Sequence, residues 1–187
     1  MQRKEFLKSA CSMGLCSCVG LAAFTPSEIH AQEEKNENKE VEQLNKKMDF
    51  IHKRFAKLVE ILKENVPEDK RKKIFEELGM ACSGEYKGHY SKYVNNIDGF
   101  ISEVMAKWEE SVNHDKNKKT ITIIGKKMDN CYCALADKAV TPGDFCDCSL
   151  GWQKGIYEYI LGKKVKVTVD ESILRGGERC SFTIKYI

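Results

Sequence analysis

Very little in this 187-residue chain is suited to nucleic acid or to a membrane interior. The formal net charge is only +3, tryptophan occurs twice, and the one basic block is Lys70-Arg71-Lys72-Lys73. A nucleic-acid partner is therefore not expected. The apolar stretch Ala10 to Phe24 is shorter and less hydrophobic than the roughly 20 residues a spanning helix needs. Histidine occurs four times, and no Ser-His-Asp set suggests itself. What remains is ordinary globular composition, 42% hydrophobic and 32% charged, enough for one domain with a core plus appendages.

Cysteine, by contrast, is abundant, with nine residues. Cys11, Cys16 and Cys18 fall in the leading segment, which leaves Cys82, Cys131, Cys133, Cys146, Cys148 and Cys180 for the folded part. An even set of six would permit three disulfides in an oxidising compartment. Their grouping as Cys-x-Cys argues against that, because extended residues two apart hold their Cβ atoms beyond bonding range.

Those pairs lie in NCYCALADKAVTPGDFCDCSL, residues 130–150. Pro142, Gly143 and Asp144 between them form a turn signal. A turn there would return the chain so that Cys131, Cys133, Cys146 and Cys148 converge, and four converging thiolates suit a soft metal, zinc first. Zinc–sulfur bonds of about 2.3 Å set neighbouring sulfurs about 3.8 Å apart, so the backbone must bend at Tyr132 and Asp147. An iron–sulfur cluster is the alternative occupant, and no cofactor at all is another. Cys180 could complete the set if one block cysteine points away.

A catalytic use is also open. Three thiolates and an open position could activate water, or Cys82 could act as a nucleophile assisted by His89. Cys82 otherwise serves as a small buried hydrophobe. Glu85, Asp137 and Asp144 read as solvated acids, and His52 as surface or core trim.

Residues 1–31 read as an export signal. Arg3, Lys4 and Lys8 precede the apolar stretch. Arg3-Lys4-Glu5-Phe6-Leu7-Lys8 resembles a twin-arginine signal with lysine in the second position. Leu15-Cys16-Ser17-Cys18 resembles a lipobox, with Cys18 as the lipidated membrane attachment, and Ile29-His30-Ala31 resembles a signal-peptidase site. A buried amphipathic helix is the plain alternative. The expected address is periplasmic or otherwise extracytoplasmic. Residues 32–42, QEEKNENKEVE, form a polar linker or a frayed helix start.

Residues 43–187 are expected to be one α+β domain, amphipathic helices first and an antiparallel sheet later, joined by the cysteine-rich crossover. Apolar residues from Val41 to Leu62 recur every three or four positions, a helix ending before Pro67. A second, short helix carries Ile74, Phe75 and Leu78 and stops at Gly79. A third runs from about Lys92 to Val112, with Met105 and Trp108 facing the core. Lys119 to Gly125 reads as a strand, and Gly151 to Leu161 as a helix with Ile156, Tyr157 and Ile160 inward. Lys164 to Glu171 and Cys180 to Tyr186 alternate as neighbouring antiparallel strands, with Cys180 on the apolar face of the second.

The carboxyl half resembles the L-2-amino-thiazoline-4-carboxylic acid hydrolase family. The resemblance rests on Cys131-x-Cys133, on Cys146-x-Cys148-Ser149-Leu150-Gly151-Trp152, and on the run Glu171 to Ile184 containing Gly176-Gly177-Glu178-Arg179-Cys180-Ser181-Phe182. It is also similar to vinyl-reductase-like small-ligand-binding domains. The resemblance implies an α+β domain that binds a small molecule or metal beside its cysteines, with opening of a thiazoline ring as the eponymous reaction. Three functions are thus set out: an exported metal- and small-ligand-binding domain, a hydrolase of a small C–N or C–S ring compound, and a thiol-redox or disulfide-stabilised structural protein.

Overall fold

The computed structural model describes the backbone of residues 26–187 and the side-chain environments of residues 39–187. The export signal expected over residues 1–31, with Cys11, Cys16 and Cys18, lies outside the described residues up to residue 25. The chain divides into two compact units, Met1–Asn45 and Lys46–Ile187. In the first, residues 26–45 are helical, so the polar stretch 32–42 follows the helical of its two readings. No described helix is long and apolar enough to cross a membrane.

The second unit is α+β, with helices packed against an antiparallel sheet. Helix α1, Pro26–Asn65, ends just before Pro67, as the steric restriction on pre-proline residues requires. Helix α2, Glu68–Tyr86, opens with Glu68 and Asp69 against its positive end. It runs well past Gly79, where the sequence suggested a stop. The reason lies across the contact: a Cβ on Gly79 would stand 1.9 Å from the carbonyl oxygen of Cys148. This glycine serves close packing rather than a helix end.

The third expected helix is broken and shortened. A 3-10 segment, Lys87–Tyr93, is followed by α3, Ile97–Phe100, a π-helical turn over Ile101–Met105, and α4, Ala106–Trp108. The chain then becomes extended as strand β1, Glu109–Asp115, whose first part, to Val112, the sequence reading had included in the helix. Met105 is buried as expected, but Trp108 is 61% exposed, because it lies at the point where helix gives way to strand.

Strands β2 (Thr120–Gly125), β3 (Val165–Glu171) and β4 (Ser181–Tyr186) complete a four-stranded sheet of order β1-β2-β4-β3, antiparallel throughout. Register aligns Val112 with Ile123 and Phe182, and His114 with Ile121 and Ile184. These residues share the face covered by helix α5, Asp147–Leu161. Ile156, Tyr157 and Ile160 of α5 are fully buried, as expected, and join Ile121, Ile123, Phe182 and Ile184 in the main core. Gly162 ends α5 in the left-handed conformation, φ 61°, which glycine adopts without steric cost.

Candidate thiol site

Helices α2 and α5 approach so closely that glycine is required on both. A Cβ on Gly151 would lie 1.8 Å from the Glu76 carbonyl oxygen, and one on Gly155 would lie 1.9 Å from Ser83 Oγ. This contact carries Cys82 of α2 towards Cys148 in the first turn of α5.

The expected turn at Pro142 is present, with Phe145 N–H donating to the Pro142 carbonyl at 3.1 Å, and two linked devices precede it. Asp137 accepts from the backbone N–H groups of Ala139, Val140 and Thr141, while its own N–H donates to Thr141 Oγ1 at 3.0 Å. Asn130 Oδ1 accepts from the N–H groups of Cys131 and Lys138, both at 2.8 Å. Pro142 is then extended at the mouth of a 3-10 turn, Gly143–Cys146, that runs directly into α5.

This crossover is fastened on three sides. Phe145 meets the rings of Phe55 and Phe75 edge-on, with centroids 4.7 and 5.6 Å away. Asp144 is ion-paired with Arg71 at 3.1 Å and Lys63 at 3.6 Å, and is not the purely solvated acid its sequence context suggested. Arg175, after β3, donates to Gly143 O and to Asp147. His52 of α1 contacts the Ala134 carbonyl at 3.0 Å, with Asp137 3.7 Å from its other ring nitrogen. These attachments tie the cysteine crossover to α1, to α2 and to the β3–β4 connection.

All six cysteines of the described residues are free thiols. Cys146 is buried, and its Sγ lies 2.6 Å from Ser172 Oγ. Cys131, Cys133, Cys148 and Cys180 are half-buried, while Cys82 is exposed. Burial pushes the Cys133 and Cys146 thiols up, and takes Cys148 up to about 12, because a thiolate there loses water. The neighbouring sulfurs add to this: Cys148 feels Cys133, Cys82, Cys146 and Cys131. Cys131 and Cys180 hydrogen-bond to each other, which pulls Cys180 down to about 7 and raises Cys131. One thiolate is stabilised by that pair at the expense of a second.

The site residues expected from sequence therefore divide. Cys131, Cys133, Cys146, Cys148 and Cys180 come within electrostatic reach of one another, and Cys82 joins them from α2. His89 does not: it is exposed on the 3-10 segment after α2, and its ring lies 6.3 Å from that of Tyr86. No hydrogen bond or ring contact among the described residues joins it to Cys82. The donor chemistry is that of a soft-metal site, yet among the described residues no three Cys, His, Asp or Glu side chains stand together as ready ligands. A metal would have to draw the sulfurs closer.

Sequence reasoning gave no role to Glu109 or Gln153, and read Tyr157 only as an inward-facing core residue. Glu109 is half-buried and pairs with Gly125 at a register shift in β1. Gln153 Oε1 and Tyr157 OH are buried without a hydrogen-bond partner. Glu109 and Gln153 belong to no spacing pattern that could have singled them out, and the helical spacing that set Tyr157 inward says nothing of its hydroxyl.

These features define a small α+β domain with a polythiol crossover between its helices and its sheet. No family model and no curated protein matches the chain. Among solved structures, the chain is similar to trafficking protein particle complex subunit 3 from Naegleria fowleri, a structure covalently bound to palmitic acid. The TM-score is 0.50 at 13% identity, over 76% of this chain and 96% of that one. At that identity the likeness concerns the fold alone.

Proposed function

We propose that this chain is a ligand-binding domain whose cysteine crossover captures a soft divalent metal, zinc first. The observation that carries the reading is the mutual electrostatic coupling of five half-buried or buried sulfurs, none in a disulfide. Several thiolates cannot coexist there unaided, because each raises the cost of ionising the next. A bound cation would remove that penalty and release the protons. Cys131, Cys133, Cys146 and Cys148 are the proposed donors, with Cys180 available in place of Cys146, which Ser172 engages. Bound zinc would supply a crosslink or, with an open position, an activated water. The basic, then apolar, start of the chain makes an extracytoplasmic address part of the proposal.

The test is a titration of metal-free protein with Co(II) and Zn(II), read by thiolate-to-cobalt charge-transfer absorption and proton release. One equivalent should bind, and Cys133→Ser with Cys148→Ser should abolish the signal. Free titration of Cys82, Cys131, Cys133, Cys146, Cys148 and Cys180, unchanged by zinc, would end the metal reading.

A second reading, dithiol–disulfide exchange, is favoured by the hydrogen-bonded pair Cys131 and Cys180. Its mark would be a disulfide between these two in protein oxidised by glutathione disulfide, found by peptide mass mapping. The hydrolase reading rests on the family resemblance alone.

A further inference from the structure

Within the unit Lys46–Ile187, helix α1 has two faces put to unlike use. The inner one is occupied. Ala56 and Val59 are buried, Phe55 meets Phe145 edge-on, His52 contacts the Ala134 carbonyl, and Lys63 pairs with Asp144. The outer face carries Phe50, Ile51, Leu58 and Ile61, which are between 42% and 58% exposed. These positions recur at the spacing of one helix face and make a stripe about 16 Å long. Large apolar side chains left about half in water along one face mark a surface that meets something else.

The charges on that stripe are of one sign. Positions 47, 50, 54, 58 and 61 are three or four apart, so Lys47 and Arg54 share the face with Phe50, Leu58 and Ile61. Arg54 stands over the Phe50 ring, 5.2 Å from its centroid. No Asp or Glu falls inside the stripe. Asp49, Glu60 and Glu64 lie to one side of it, where Lys53 donates to Asp49 at 2.8 Å and Lys57 to Glu60 at 3.0 Å. The outer face of α1 is thus apolar and cationic together.

We propose that this face, Lys47 to Ile61, docks on an anionic lipid surface, with α1 lying flat in the headgroup region. Charge and shape select the occupant. Lys47 and Arg54 call for anions and their four apolar neighbours for hydrocarbon, and a bilayer with acidic headgroups offers both in one plane. The long basic side chains reach up to the headgroups while Phe50, Ile51, Leu58 and Ile61 enter beneath them. A second copy of the chain suits the face less. It brings the same cations, and four half-exposed side chains fall short of the roughly 800 Å² per partner of a stable interface. One helix face is also a ridge, which a fluid surface accepts directly and a helical partner accepts only by supplying a groove. Helix α1 is not apolar enough to cross a membrane, and lying on one does not require it to be. This surface goes beyond the metal reading and does not depend on it, because the cysteine crossover engages the opposite face of α1.

The test is flotation of the full-length protein with vesicles of phosphatidylglycerol and phosphatidylcholine in equal parts, against vesicles of phosphatidylcholine alone. The anionic vesicles should bind about tenfold or more tightly than the neutral ones, and high salt should weaken that binding. Phe50→Ser combined with Ile61→Ser, and separately Lys47→Glu combined with Arg54→Glu, should each weaken it about tenfold or more. All four positions are exposed, so thermal unfolding of both double variants should stay close to that of the unaltered protein. The proposal is overturned if anionic vesicles carry no protein. It is overturned equally if both double variants bind as the unaltered chain does, which would assign the binding to another segment such as the basic start. Variants that keep vesicle binding but lose self-association in sedimentation equilibrium would give the face to a second copy instead. Cobalt absorption reads the thiol site separately and should be the same in both variants, so failure of one proposal leaves the other's result intact.

Discussion

The carbonyl oxygen of Glu76 on α2 lies where Gly151 on α5 has no side chain, 1.8 Å from the position a Cβ would take. The two helices are in backbone contact there, and Cys82 and Cys148 are neighbours as a result. Gly151→Ala must push the helices apart. The expected loss is about 1–3 kcal/mol or more, measured by urea unfolding, although alanine is the better helix former. An unchanged midpoint would mean that the two helices pack less closely than described.

Phe145 anchors the cysteine crossover by contacts with Phe55 and Phe75, and it is 2% exposed. Phe145→Ala should cost about 3–5 kcal/mol. Because the anchor lies between the two Cys-x-Cys pairs, iodoacetamide should also reach Cys133 and Cys148 faster in the variant, and peptide mapping would identify the sites. Loss of stability without faster alkylation would separate the crossover from this cluster.

The Cys131–Cys180 pair predicts a pH profile for the metal-free protein. Cys180 ionises at about 7 against an ordinary 9.0, because the Cys131 thiol hydrogen-bonds to its sulfur. A depressed acid stabilises the fold fully above pH 9.0, and that contribution is lost as pH falls through about 7. Cys148, held up at about 12, works the other way: the unfolded chain ionises first, so its contribution declines as pH rises beyond 9.0. Alkylation of Cys180 should therefore turn on near pH 7, and Cys131→Ala, which removes the donor, should move that midpoint upward. A midpoint near 9.0 in the unaltered protein would contradict the pairing.

His114 of β1 joins three elements: its Nδ1 lies 2.9 Å from Asp98 on α3, and its Nε2 lies 2.9 Å from the Tyr186 hydroxyl on β4. Lys116 holds the other Asp98 oxygen at 2.6 Å, and Lys116 and His114 keep the Asp98 carboxyl below its usual range. Tyr186→Phe should cost about 0.5–1.5 kcal/mol, the net value of one hydrogen bond. His114→Ala should cost more, because it leaves the Tyr186 hydroxyl unpaired and frees the edge strand. Thermal unfolding of both variants gives the order, and the reverse order would show that the histidine does not hold β1.

Much of the fold was legible where period and burial agree. Val165, Val167 and Val169 alternate because β3 has one packed face, and Ile156, Tyr157 and Ile160 recur at helical spacing because α5 lies on the sheet. β1 was not legible. Its sequence, EESVNHD, offers one aliphatic residue, and an edge strand half open to water needs few. Gly79 was misread as a stop because a glycine at a helix end and a glycine under a crossing helix look alike in one dimension.

The same division runs through the candidate sites. Clustered cysteines announce themselves by spacing, but whether they pair, bind or stay free depends on how four separate segments meet. Glu109, Gln153 and Tyr157 carry no motif at all. The register of β1 sets Glu109 opposite Gly125, and the interior face of α5 buries the Gln153 amide oxygen and the Tyr157 hydroxyl without a hydrogen-bond partner.

By itself, the sequence determined the α+β class, the main core and the cysteine crossover, because these follow from local periodicity and composition. Only the tertiary structure decided which thiols touch, where His89 lies and which polar atoms are buried. Those are relations between residues distant in the chain, and they arise when helix and sheet pack and water is excluded.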